Sequence, residues 1–192
     1  MANDDQGEVT RLLRDLNDSP ELLEQVTAMV YQDIHKLAHR QRHQLGSSPT
    51  LRTTALAHEA FLKIFHNGHH QANDRVHMMR LLARAMRQII VDHARQRLSK
   101  KRGQGAPHLE LNDEVVAEKT RQQAAAVIDM ERALEQLERI DSNLAEMVSA
   151  HFYGGLTTEE IAEIQGKSRR TVQRDFKRAF AWLRMSLESG SD

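Results

Sequence analysis

The stretch "LTTEEIAEIQGKSRRTVQRDFKRAFAWL", residues 156–183, decides the fold. Thr157 with Glu160 three residues later forms a capping-box pattern, which predicts a helix start. Ile161, Ala162 and Ile164 supply the inner face of that short helix. Gly166 permits the left-handed backbone that stops it. Ser168 is placed to cap a second helix, in which Val172, Phe176, Ala179, Phe180 and Leu183 recur as an inward stripe. Trp182, the single tryptophan, is read as core. Arg169, Arg170, Thr171, Gln173, Arg174, Lys177 and Arg178 then project from or flank the exposed face. A short helix, a tight turn and a basic helix form the geometry that sets a recognition helix in a major groove. Arginine and glutamine suit guanine and adenine edges, while lysine and the remaining arginines meet phosphates. The plainer alternative is a solvated basic helix in a small bundle.

Outward from this motif, the chain of 192 residues suffices for one ordinary domain or two small ones. Cysteine is absent, so neither a disulfide framework nor a thiolate metal site can form. The polar start "MANDDQGEVTRLLRDL" is no signal peptide, and no run of about 18 apolar residues occurs. A soluble, cytoplasmic protein without a membrane partner is expected. Three prolines, few aromatics and abundant Ala, Leu, Arg, Glu and Gln favour helix throughout, and no strand-like alternation stands out. The predicted class is all-α.

Charge is segregated, although 27 basic and 27 acidic residues cancel formally. Residues 75–102 hold nine Lys/Arg against Asp92 alone, and residues 167–184 hold seven against Asp175 alone. The remainder carries 11 bases and 25 acids. Two basic helices on an otherwise acidic chain predict two contacts with a polyanion.

Helical periods predict elements from about Val9 to Leu16, from Pro20 (capped by Ser19) to about Leu45, from Ser48-Pro49 to Phe65, and from Arg75 to Leu98. These form an N-terminal domain over residues 8–98. Residues 99–123, "SKKRGQGAPHLELNDEVVAEKTRQQ", lack a sustained apolar period and predict a flexible linker. A C-terminal domain over residues 124–188 follows, with helices near 126–138, 142–153, 157–165 and 169–187.

With these motifs in place, the chain resembles a bacterial extracytoplasmic-function (ECF) sigma factor of RNA polymerase, over about residues 8–188. "YGGLTTEEIAEIQGKSRRTVQRDFKRAFAWL" looks like the family's domain for the −35 promoter element. "HMMRLLARAMRQIIVDHARQRLSKKRG" looks like its helix for the −10 element, and "TALAHEAFLKIF" is similar to its docking helix on the polymerase β′ clamp. The resemblance is closest to a subgroup with a Thr-Ala-Leu-x-x-Glu-Ala signature, here Thr54 to Ala60. It implies a non-enzymatic protein, without cofactor or metal, that directs core polymerase (β′ clamp and β subunits) to promoter DNA and assists melting. It also implies −35 contacts by the seven recognition-helix residues named above. Arg84, Arg87, Gln88 and Arg95 fall on the −10 helix. His69, His70, Asn73 and Arg75 fall in or beside the loop that takes an extruded base. The β′ contact falls to Arg52, Thr54, Ala55, Glu59 and Lys63.

One departure from the family pattern has a physical consequence. Where the wider family carries Asp-Ala-Glu-Asp, this chain has Arg52, Thr53, Thr54 and Ala55, without a negative charge. Like-charge placement against a basic partner costs several kcal/mol. A phosphate on Thr54 or Thr53 would restore about −1.5 to −2 charges near a helix N-terminus. Thr53 lines up with the buried Leu56, Ala57, Ala60 and Ile64, which makes Thr54 the first candidate for a Ser/Thr kinase. The alternative is a pair of ordinary first-turn threonines satisfied locally, docking then resting on Glu59 and apolar contacts. Control by a separate anti-sigma protein is equally compatible with the sequence.

Three other readings carry less. His35, His39 and His43 share a helix face and His66, His69 and His70 cluster, but neither group has a cysteine or well-placed carboxylate pair for a metal. No phosphate-cradling glycine loop, nucleophile elbow or paired acids point to an enzyme. A helix-turn-helix regulator acting without polymerase would need its own sensing or dimerisation domain. The N-terminal half offers a second basic helix instead.

Overall fold

The computed structural model describes residues 2–16, 19–44, 52–65, 72, 74–100 and 111–189. Every regular element among them is helical, in agreement with the all-α expectation. In chain order these are α1 (Ala2–Asp15), a 3-10 turn (Pro20–Leu22), α2 (Leu23–Gln44), α3 (Thr53–Ile64), α4 (Arg75–Lys100), α5 (Leu111–Ile140), α6 (Ser142–Phe152), α7 (Thr158–Gln165) and α8 (Arg169–Ser189).

In the N-terminal half, α2, α3 and α4 pack side by side, with α1 against α2 and α4. Their contact is made by Leu13, Leu16, Ile34, Leu56, Leu82 and Met86, all essentially excluded from solvent. Each Leu or Ile removed from water contributes about 1.5–3 kcal/mol, so these stripes are what align the helices. Asp74 caps α4, its Oδ1 accepting from the His77 amide at 2.8 Å. In the C-terminal half, α5 packs on α6 and α8, and α7 packs on α8. Leu134, Leu137, Met147, Leu156, Ile161 and Val172 fill the space between them. Asp141 caps α6 through a 3.1 Å bond from the Leu144 amide.

The structure departs from the sequence reading at several boundaries. Within the interval read as a linker, 99–123, residues 99–100 end α4 and residues 111–123 begin α5, while 101–110 lie outside the described residues. The first helix begins at Ala2, and α3 begins at Thr53 instead of at Ser48-Pro49, which also lie outside the described residues. The two halves touch through α4. One apolar cluster runs from Val9 to Leu183, joined where α5 and α6 pack against α4.

Candidate nucleic-acid interface

The C-terminal motif is built as its residues require. Thr157 Oγ1 accepts from the Glu160 amide at 3.2 Å, and Glu160 Oε2 accepts from the Thr157 amide at 2.8 Å, which closes the capping box on α7. Gly166 ends α7 at φ +61°, a backbone that costs other L-residues about 1–2 kcal/mol. Ser168 Oγ then accepts from the Thr171 amide at 3.1 Å and starts α8. Val172, Phe176, Ala179 and Leu183 turn inward as expected. Phe180 does not: it is 41% exposed, stacked on Phe176 at 5.6 Å and edge-on to Phe152 at 5.7 Å. It borders a groove of about 830 Å³ between α5, α6 and α8, so the stripe is open at Phe180 although Ala179 and Leu183 on either side are buried. Trp182 is partly buried against the core.

On the outer face of α8, Arg169, Arg170, Gln173, Arg174, Lys177 and Arg178 are exposed and Thr171 is half-buried. Arg169 bridges the two helices of the motif through Glu159 at 2.8 Å. Asp175, 5% exposed, lies beneath this surface. It meets Lys167 at 3.2 Å, Arg178 at 3.7 Å and Arg174 at 3.9 Å. A buried carboxylate thus fixes three cations at the edge of a face able to follow a phosphate backbone. As the lone acid in a basic run, Asp175 was visible in the sequence, but its burial was not.

The second basic surface is α4. Arg84, Gln88 and Arg95 are exposed; Arg95 pairs with Asp92 at 3.6 Å and Gln88 accepts from Lys63 Nζ at 3.2 Å. Arg75 and Arg87 are differently placed. Arg87 Nε lies 2.7 Å from Glu131 and donates from a second nitrogen to Ser149 Oγ at 3.3 Å. Arg75 lies between Asp33 at 3.9 Å and Glu160 at 3.4 Å. Sequence reasoning missed these acidic partners, because no local signal links residues so far apart. His69, His70 and Asn73 lie outside the described residues, as do His66 and the side chain of His43. Among the described residues, no group of three or more metal-ligating side chains converges.

The face named for polymerase contact is continuous along α3. Arg52, Thr54, Ala55, Glu59 and Lys63 are all exposed, and Thr53 is half-buried above Leu56, Ala57, Ala60 and Ile64. Arg52 is the N-cap, makes no side-chain capping bond, and no acid stands in the first turn. The Lys63–Gln88 bond ties this face to the basic surface of α4.

A family model described as "ECF sigma factor" matches residues 6–189, nearly the whole chain. The chain belongs to the ECF sigma factor family. It is therefore an alternative sigma factor, a helical regulatory protein of transcription initiation that works with core RNA polymerase on promoter DNA. Searches of curated proteins and of solved structures returned no match. No described helix of this ECF sigma factor is long and apolar enough to cross a membrane.

Proposed function

We propose that this ECF sigma factor uses α8 for the −35 element, α4 for the −10 element and α3 for the β′ clamp, and that a phosphate on Thr54 completes the α3 surface. The chain itself does no chemistry and needs no cofactor: promoter choice comes from base and phosphate contacts, and melting from capture of an extruded base. The alternative, a helix-turn-helix regulator independent of polymerase, leaves the exposed face of α3 without a use.

The observation that carries the switch is the N-terminus of α3. Thr54 is exposed in its first turn, beside the exposed Arg52 and two positions from the buried Leu56. A phosphate there lies at the positive end of the helix dipole, within reach of no acid of the same turn. It supplies the anion that a basic clamp requires and that Arg52, Thr54 and Ala55 lack. Thr53, half-buried over the helix core, is the second site. On this reading the chain falls in the subgroup with the Thr-Ala-Leu-x-x-Glu-Ala docking helix, controlled by a Ser/Thr kinase in place of, or beside, an anti-sigma partner.

The test is promoter-specific run-off transcription with purified core polymerase, using unmodified protein, kinase-treated protein, Thr54→Ala and Thr54→Glu. Phosphorylated wild type is expected to exceed the unmodified chain by at least about tenfold, equivalent to roughly 1.4 kcal/mol of docking. Thr54→Ala is expected to stay inactive after kinase treatment, with Thr54→Glu between. Equal activity of every form removes the switch and keeps the sigma function. Activity from none, with sequence-specific duplex binding intact, favours the polymerase-independent regulator.

A further inference from the structure

Asp175 is the only acid between Lys167 and Arg184, and the fold buries it. A carboxylate leaves water at a cost that only nearby cations and donors offset. Its two oxygens divide the task. Oδ2 meets Lys167 Nζ at 3.2 Å, while Oδ1 meets Arg178 at 3.7 Å and Arg174 at 3.9 Å. Lys167 sits in the turn between α7 and α8, where its amide donates to the Ala162 carbonyl at 2.9 Å. A cation anchored by its own backbone therefore pins one oxygen and leaves the other facing the two arginines. At 100° per residue, Asp175 stands at the border of the buried stripe of α8, and Arg174 and Arg178 stand on the exposed side of it. Their side chains remain 71% and 61% exposed, so each is tethered at the face and still open to what approaches it. Among the described residues, Arg170 and Lys177 on the same face have no ion pair.

We propose that Asp175 is a positioning residue for duplex readout: it touches neither base nor phosphate, and it sets how well Arg174 and Arg178 discriminate between sequences. The inference rests on the −35-reading role proposed for α8. An untethered arginine samples many rotamers, and binding has to select one of them. A carboxylate beside the guanidinium narrows that choice before DNA arrives, which favours contacts that require a fixed geometry, such as a bidentate hold on a base edge. Contacts of flexible cations with phosphates require no such geometry and carry no sequence information. The charge of Asp175 acts in the opposite direction. A negative group beneath the face repels the DNA backbone, which lowers affinity for every sequence alike. Asp175 therefore weakens general binding and raises discrimination. Coulomb attraction alone predicts something else: removing the acid would tighten every duplex. The two accounts differ in sign on the preferred duplex, which makes them separable.

The probe is a duplex enriched from a random-sequence pool by the full-length wild-type chain, set against a scrambled duplex of the same composition. Asp175→Asn is expected to bind the enriched duplex about tenfold more weakly, the loss of roughly one base-edge contact. The scrambled duplex is expected to bind equally well or up to about threefold more tightly. The control Asp129→Asn, at an exposed position of α5, removes the same charge and is expected to change both affinities less than about twofold. In an Arg174→Gln/Arg178→Gln background, Asp175→Asn is expected to change the ratio of the two affinities less than about twofold, because the side chains it positions are gone. If Asp175→Asn folds poorly, nitrogen-15 relaxation of the arginine Nε–H groups in the wild-type chain supplies the test: Arg174 and Arg178 are expected to be more ordered than Arg170. An unchanged ratio in folded Asp175→Asn, tightening on both duplexes, an equal loss without the two arginines, or arginines 174 and 178 as mobile as Arg170 overturns the positioning and leaves the role of α8 standing. A pool in which wild type enriches no sequence removes the −35 reading of α8, and the positioning with it.

Discussion

Asp175 shows how one side chain can organise a basic face from beneath it. It is buried at the root of α8 with Lys167, Arg178 and Arg174 between 3.2 and 3.9 Å. Three cations so close would otherwise repel one another. Hydrogen bonds to charged groups contribute about 1.5–3 kcal/mol each, and exposure of the arginines lets water recover part of that. Asp175→Asn keeps the shape and removes the charge. It is expected to cost about 1–2 kcal/mol, seen as a lower urea midpoint at unchanged m-value. An unchanged midpoint would mean that the three cations are held by water alone. Glu160 does comparable double service, one oxygen closing the α7 box and the other meeting Arg75.

At the scale of elements, α7 depends on its cap. Only eight residues long, it offers few backbone bonds of its own and buries little beyond Ile161 and Ala162. Isolated helices of that length are marginal in water. Thr157→Ala removes the acceptor for the Glu160 amide and is expected to cost about 1 kcal/mol. Hydrogen exchange should accelerate most in the first turn of α7, and least in α8, whose start is held by Ser168. Uniform acceleration through both helices would show that the pair melts as one unit. This motif was legible in the sequence because each of its signals is local: Thr157 and Glu160 are three residues apart, and Gly166 and Ser168 bracket one turn. The early part of α5 was not legible for the opposite reason. Val115 and Val116 are exposed, so residues 115–123 form a helix on propensity and local bonds such as Arg121–Glu118 at 2.8 Å, with no buried stripe to give a period. Phe180 fell to a related limit. Periodicity places it beside Phe176 and Leu183, but only packing decides where the covering helices end.

For the whole molecule, the sequence read as two bodies on a linker, while the structure joins them through α4. Which arginines of α4 stay exposed and which meet Glu131, Glu146 and Glu160 depends on pairing between halves, and no periodicity in either half encodes it. Gly154 serves both its own turn and the join: a β-carbon there would stand 2.6 Å from the Ala150 carbonyl at the end of α6, as well as 3.1 Å from Ala83 Cβ and 3.3 Å from the Met79 carbonyl of α4. Because the apolar cluster is continuous from α1 to α8, the free chain is expected to unfold in a single calorimetric transition, with calorimetric and van't Hoff enthalpies equal. Ala83→Leu pushes into the Gly154 turn from the α4 side without altering the turn's own backbone, and is expected to split that transition into two. Salt separates the forces involved. Raising ionic strength from about 0.1 to 1 M shortens the screening length from about 10 to 3 Å and weakens exposed pairs such as Arg80–Glu146. The Arg87–Glu131 pair and the Gly154 contact are shielded, so the single transition should persist in wild type at high salt. Two transitions appearing with salt alone would assign the join to surface charge, and two at low salt would mean that the halves fold independently.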